Sequence, residues 1–497
     1  MAYPQAPKSL DPHRYPPDPA AWPAVMIAYK RLFDLKPGSS DLDNTSSAAS
    51  TYRVSDDGTI YTILLQEGQS FSDGTPVDSM AALFSFDRLM ATETGRVYFP
   101  PLRFLEIVGP YTFRLHLDKP WPPFIAALTT PMASLVSPSA AQKPAGFLDK
   151  SSLGSGRFEV ESFEDQKLVL RIRPDAPSVP KLNRVEILFE PDPLKRSLLV
   201  NSGRAHLAWE AGRPQEISDF AEWRLVPTFE TRFLAFNMTR PYLRMDSVRE
   251  ALAALALACL GQDKPFRPAG FFPAGLAPDL AQAAAPDPAA LMERAGSILA
   301  AVGPSRTPLD LAYHESDPQG RADAETLAGA MRGLGLSARP VPLSGAHGQA
   351  ILEKADWDLL LDNRRPQLPG PEMWLGGFLD SKSSVVSNPA RYDDSEADSL
   401  ISEMGASDRQ EKARVVRRLS HLALDKRPYV MIYQKPLALL VDKRLSKLAP
   451  HPMWPEVWPV EATSLDPFRP AAPASLPAEP QGPLIPGFDN PVAEPWE

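Results

Sequence analysis

The chain has almost no cysteine. Its one thiol, Cys259, sits in the apolar run ALAALALACLG, which excludes an intramolecular disulfide and reads as a small core residue. Long hydrophobic runs are missing as well: no stretch reaches the roughly 20 uninterrupted apolar residues of a membrane-crossing helix. No Lys/Arg block is present and the formal charge is −9, so the basic footprint of a nucleic-acid binder is absent. The histidines, at 13, 116, 206, 314, 347, 421 and 451, show no ligand spacing, and no metal site is expected. There is no glycine-rich phosphate loop ahead of a helix, no HExxH and no paired CxxC. GSGRF at 154–158 precedes a strand and reads as a structural turn. Carboxylate pairs such as Asp56/Asp57 and Asp393/Asp394 lie in polar loops as solvated charge. No catalytic residue, metal or cofactor is assigned, and the chain is expected not to be an enzyme.

What is present is proline, 56 residues against 28 glycines, which fixes many turns and at least one extended segment. A length of 497 residues exceeds what one core normally supports, so two or three domains are expected. From 466 to 497 there are 9 prolines and little apolar periodicity, which predicts an extended tail. The start, MAYPQAPKSLDPHRYPPD, shows neither a basic leader with an apolar core nor a cysteine placed for lipid attachment. An exported protein would carry this sequence as its mature or trimmed form.

Along the chain, TIYTILL (59–65) alternates and reads as a strand, SDGTP (72–76) as a turn, and Met80, Leu83, Phe84, Phe86 and Leu89 recur at helical spacing behind a capping Asp78. YTFRLHL adds a strand, and GRFEVESFE, KLVLRIR and RVEILFE read as a meander. Helical segments are expected at 194–203, 248–260, 287–302 and 322–334; the last two alternate with strand-like LDLAYHE and SARPVPL. That βα alternation, with DWDLLLDN as a further strand, predicts a mixed α/β class.

The stretch YTILLQEGQSFSDGTPVDSMAALFSFDRL closely resembles the signature of family 5 extracellular solute-binding proteins, the oligopeptide-, dipeptide- and nickel-binding class that feed ABC importers. The resemblance continues in order through SLDPH (9–13), VGPYTFRLHLDKPWPPFIAAL (108–128), GSGRFEVESF (154–163), LLVNSGRAHLAW (198–209), FLAFNMTRPYLRMDSVREALA (233–253) and DWDLLLDN (356–363), covering about 10–458. It implies a periplasmic-binding-protein-like, two-lobed mixed α/β fold with an extra domain II and a hinge-closing cleft. Domain I would collect 1–38, 151–228 and 446–465, domain II would be 39–150, domain III 229–445, and 466–497 a Pro-rich tail. It further implies a monomer in the periplasm or another extracytoplasmic space, delivering a small-molecule or peptide solute to an inner-membrane ABC permease, with no nucleic-acid partner.

Departures from the family pattern bear on the solute. In peptide-binding members, a loop after the DWDLLLDN-type strand supplies an aspartate that pairs with the peptide's α-amino group; here register places Gln367 at that position. Near the N-terminus, AYKRLF offers Lys30 and Arg31 where the family often shows an acidic residue and a glycine. With Arg364 and Arg365 supplying guanidinium forks, these residues imply a solute with an anionic group, an organic acid or a metal chelate, as against an ordinary peptide. The bland alternative is that the four charges are solvated surface. Trp374 either stacks on the solute or fills the lobe interface. The segment after VREALAALALACLGQDKPF is shorter than the family pattern. A ligand-sensing domain of a regulator, not coupled to transport, is the alternative function.

Overall fold

The computed structural model describes residues 1–36, 42–44, 46–175, 181–277, 287–368, 370–406, 409–455 and 463–465, so the expected tail at 466–497 lies outside the described residues. The chain divides into two units. Unit 1 comprises Met1–Val226 and Leu437–Glu497, and unit 2 comprises Pro227–Pro436.

Unit 1 is built on a seven-stranded sheet whose order is Ala221–Val226, Leu437–Asp442, Leu207–Trp209, Ala2–Tyr3, Arg184–Phe189, Lys167–Ile172 and Phe158–Glu164. The last three are the antiparallel meander read from the sequence. A second, four-stranded sheet orders Ala49–Val54, Ile60–Leu65, Thr112–Leu117 and Leu102–Gly109. Its Ile60–Leu65 strand buries Tyr61, Ile63 and Leu65 and turns Ile60, Thr62 and Leu64 the other way, as period-two alternation requires.

The SDGTP turn closes with Phe71 N–H donating to Thr75 O (2.8 Å) and Thr75 N–H to the Asp73 carboxylate (3.0 Å). Gly74 sits at φ +81°, a conformation open to glycine. Asp78 then accepts from Ala81 N–H at 2.9 Å and caps the helix Ser79–Met90. Ala81, Ala82, Phe86 and Leu89 form its buried face, whereas Met80, expected among the apolar residues, is 61% exposed. The helix begins one residue before it, and the first-turn position points outward.

The GSGRF segment is a close-approach turn. Gly156 N–H donates to Ala28 O (3.0 Å), and a Cβ on Gly154 or Gly156 would fall on the Ala28 or Ile27 carbonyl oxygen.

Unit 2 is a five-stranded mixed sheet ordered Ala338–Leu343, Leu309–His314, Leu359–Arg364, Thr231–Phe236 and Tyr429–Gln434. The first three are mutually parallel and joined by the helices Pro318–Gly333 and Gly345–Lys354; Thr231–Phe236 runs antiparallel to both its neighbours. Ala338–Leu343 contains Pro340 and Pro342 and occupies the sheet edge, where missing N–H donors are tolerated. The apolar helix Asp246–Leu260 buries residues on all sides, including Leu252, Leu255 and Ala256, against this sheet and the helix Pro288–Val302. Among the described residues no helix is long and apolar enough to cross a membrane.

Candidate functional site

Ligands of open α/β sheets gather outside the carboxyl ends of the parallel strands. In unit 2 those ends are His314, Leu343 and Arg364. The antiparallel neighbours bring Thr231 and Gln434 to the same edge, because Thr231 faces both Arg364 and Gln434 in register.

The edge is densely charged. Arg232, on the strand Thr231–Phe236 and 1% exposed, pairs with Asp317 at 2.8 Å and with Asp323 at 3.2 Å. Tyr433 donates its hydroxyl hydrogen to Asp323 (2.6 Å) and accepts from Arg232 Nε (3.3 Å). Asn363 Nδ2 donates to Asp317 (2.9 Å). Burial pulls the Arg232 pKa down, but Tyr433, Asp317 and Asp323 outweigh it and hold the guanidinium above its ordinary value. Burial likewise pushes the Asp317 carboxyl up, and Arg232 with the Gly320 N–H brings it below the usual range.

His314 Nε2 lies 3.5 Å from an Asp362 oxygen. Bonding to Asp362, opposed by burial, raises the imidazole pKa above its ordinary value, so a proton there is favoured. Beyond His314 a concavity of about 280 Å3 opens, lined among others by Glu315, Ser316, Ser344, Gly345 and Gln349. The edge thus presents partly exposed carboxylates, Asp317 at 19% and Asp362 at 27%, beside an imidazole at 39%. Among the described residues no group of three or more His, Cys, Asp or Glu side chains is placed to hold a metal ion.

The six residues singled out in the sequence fall into two sets. Lys30 and Arg31 belong to unit 1; Arg364, Arg365, Gln367 and Trp374 belong to unit 2. Lys30 donates to the Gln69 side-chain oxygen (2.9 Å). Arg31 is 5% exposed and ion-paired with Asp34. The Arg364 guanidinium turns into its own unit: it donates to Ser387 O (2.6 Å) and Val386 O (2.7 Å) and lies 3.9 Å from the Phe378 ring centroid, and burial lowers its pKa. Arg365 is half-buried and Gln367 exposed. Trp374 is 2% exposed, and its indole N–H donates to Phe271 O at 2.7 Å while the ring packs edge-on against Phe378. That is packing inside unit 2.

The charged cluster of Arg232, His314, Asp317, Asp362 and Tyr433 was not singled out in the sequence. Two signals point to it: an arginine inside the apolar TRFLAF strand, and the polar HESDPQ turn directly after LDLAY, at a strand-to-helix junction.

The model of the bacterial extracellular solute-binding proteins, family 5 (Middle), matches residues 45–385. The probable D,D-dipeptide-binding periplasmic protein DdpA of Escherichia coli K12 is 26% identical over 494 residues, covering 92% of this chain and 93% of that one. The glutathione-binding protein GsiB of Shigella flexneri is 27% identical over 235 residues, 45% of each chain. Among solved structures, HbpA2 from Haemophilus parasuis superposes with a TM-score of 0.81 at 19% identity, covering 94% of this chain and 99% of that one.

Proposed function

The chain belongs to the family 5 bacterial extracellular solute-binding proteins, the solute-capturing components of ABC importers, and from that premise we propose that its solute is a short, zwitterionic, peptide-like molecule of about dipeptide size. The observation that carries this reading is the similarity along nearly the whole chain to the probable D,D-dipeptide-binding periplasmic protein DdpA. The charged edge of unit 2 supports it, because Asp317 and Asp362 suit an ammonium group while a protonated His314 suits a carboxylate. We propose further that the protein is a monomer without enzymatic activity, works outside the cytoplasm and delivers to an inner-membrane ABC permease.

The anionic solute or metal chelate remains the second reading. It rests on the resemblance, whose register would set Gln367 at the family's ammonium anchor in unit 2, with basic Arg365 two residues before it. The inward engagement of Arg31, Arg364 and Trp374 speaks for the peptide. We also carry forward the three-part division of the chain as a proposal, supported by the four-stranded sheet at Ala49–Leu117 lying wholly within 39–150.

Native mass spectrometry of protein taken from cells, gentle against denaturing, followed by calorimetric titration with D-alanyl-D-alanine and L-alanyl-L-alanine, tests the reading. A retained mass of dipeptide size and saturable heat with either dipeptide support it. A retained organic acid or chelated metal, with no heat from either dipeptide, establishes the second reading. Solute at about 100 times its Kd should add roughly 2.7 kcal/mol of stability. A sensor uncoupled from transport would bind the dipeptide yet leave the ATPase of its reconstituted importer unstimulated.

A further inference from the structure

The parallel strands Leu309–His314 and Leu359–Arg364 are neighbours in the unit 2 sheet, and the chain leaves them in opposite directions. From the first it passes to Ala338–Leu343 on one side; from the second it goes on to Tyr429–Gln434 on the other. Where neighbouring strands diverge in this way, the loops that follow them part and leave a crevice for a ligand. Asp317 and Asn363 meet at this point, with Asn363 Nδ2 donating to the Asp317 carboxylate at 2.9 Å.

A zwitterionic solute needs an acceptor for its ammonium group there. The loop after Leu359–Arg364 offers no carboxylate: from Arg364 to Pro371 the sequence has neither Asp nor Glu. Of the acids at the strand ends, Glu315 lines the concavity beyond His314. Asp362 accepts the N–H of its own neighbour Asn363 at 2.7 Å and lies beside the His314 imidazole. Asp317 differs from both, because its cation is shared. The Arg232 guanidinium reaches Asp317 (2.8 Å) and Asp323 (3.2 Å), so one positive charge answers two negative ones. Asp323 is buried and further bound by Tyr433 (2.6 Å) and Gln319 (2.7 Å). Lys435, whose attraction Asp317 also feels, is paired with Glu230 at 2.9 Å. The unmet negative charge therefore emerges at Asp317, the partly exposed end of the network. Arg232 is itself held from behind, where its Nε donates to the Tyr433 hydroxyl at 3.3 Å.

We propose that Asp317 receives the ammonium group of the solute and that Arg232 is its positioning residue, fixing the carboxylate at the parting of the two strands. The inference rests on the solute being a zwitterionic peptide-like molecule and assigns one end of it to a named side chain. It also sets a specificity. An acyl group on the amine removes the charge and leaves the Asp317 carboxylate facing an uncharged amide, so N-blocked peptides are rejected.

The test is calorimetric titration of the full chain with whichever of D-alanyl-D-alanine and L-alanyl-L-alanine it binds, and with the N-acetyl form of the same dipeptide, read as the ratio of the two affinities. The parent should favour the free amine roughly 10- to 100-fold, the range for a hydrogen bond to a charged group. Asp317→Asn keeps an oxygen for the Gly320 N–H at the start of the helix Pro318–Gly333 and should bring the ratio close to one. Arg232→Lys retains the charge without the fork and should lower the ratio part of the way. A purely structural loss would weaken both dipeptides alike and leave the ratio at the parent's value, which in either variant overturns the role given to that residue. Equal affinities in the parent, or a ratio that collapses in Asp362→Asn and not in Asp317→Asn, overturn the proposal while the dipeptide reading stands. No heat from either free dipeptide overturns the dipeptide reading and this inference with it.

Discussion

Arg364 lies with its guanidinium carbon 3.9 Å from the centre of the Phe378 ring and 5.6 Å from that of Phe233, two rings that themselves meet edge to face at 5.2 Å. Its amino groups meanwhile bind the carbonyls of Val386 and Ser387. A residue that reads in the sequence as an anion-binding fork thus closes the carbonyl ends of a neighbouring loop.

Arg364→Ala should destabilise the protein by about 2–4 kcal/mol, combining a charged hydrogen-bonded group with a desolvated cation–π contact. Arg364→Lys should recover only part of this, since an ammonium cannot serve two carbonyls in a fixed plane. Urea unfolding measures it. Unchanged stability with weakened solute binding would return Arg364 to the role of a solute anchor.

Asp78→Ala should lower stability by about 1 kcal/mol and Asp78→Ser by far less, because either Asp or Ser can accept from the free Ala81 N–H at the start of Ser79–Met90. Thermal unfolding of the three chains reads the difference. Equal midpoints for Asp and Ala would mean that water satisfies that donor.

Much of the fold was legible in the sequence because it is written locally. The Ile60–Leu65 alternation, the SDGTP turn and the Asp78 cap each depend on residues within a few positions, and the strand–helix alternation after Leu309 is set by hydrophobic period. The charged edge of unit 2 was less legible. Arg232 reaches Asp317, Asp323 and Tyr433 across separations that no local spacing encodes. A charge such as Arg31 or Arg364 gives no sequence sign of whether it turns toward Asp34 or toward a pair of carbonyls. Side-chain direction at a strand end is decided by which buried acceptors lack a donor, and that is a property of the assembled sheet.

Gly156→Ala should destabilise by roughly 1–3 kcal/mol, the range for forcing atoms into a filled site. The added carbon would meet the carbonyl oxygen of Ile27, which is backbone and cannot swing aside. Gly68→Ala, at φ +77° but with open space around it, separates the two effects: it carries backbone strain without the collision. An unchanged midpoint in Gly156→Ala would show that the Ile27 backbone shifts to admit the added carbon.

His13 provides a pH signature. Its Nε2–H donates to Ser134 O at 3.0 Å, the ring is 1% exposed, and burial, reinforced by the Arg88 charge and only partly opposed by Asp11 and Ser134, lowers its pKa from 6.5 to about 4. Above pH 6.5 the imidazole is neutral folded or unfolded and contributes no slope. As pH falls from 6.5 toward 4, the unfolded chain takes up a proton that the folded chain refuses, so stability declines through that window and levels off below it. Asp11 is partly buried, which pushes its carboxyl up, but the bond to Arg88 together with the Arg88 charge and His13 holds it below its ordinary value, so its own loss comes at lower pH. Urea midpoints measured from pH 7 to pH 4 should therefore fall in the parent and fall less steeply in His13→Gln, whose amide can still donate to Ser134. Parallel slopes in the two proteins would mean that the imidazole takes up its proton as readily in the folded chain as in the unfolded one.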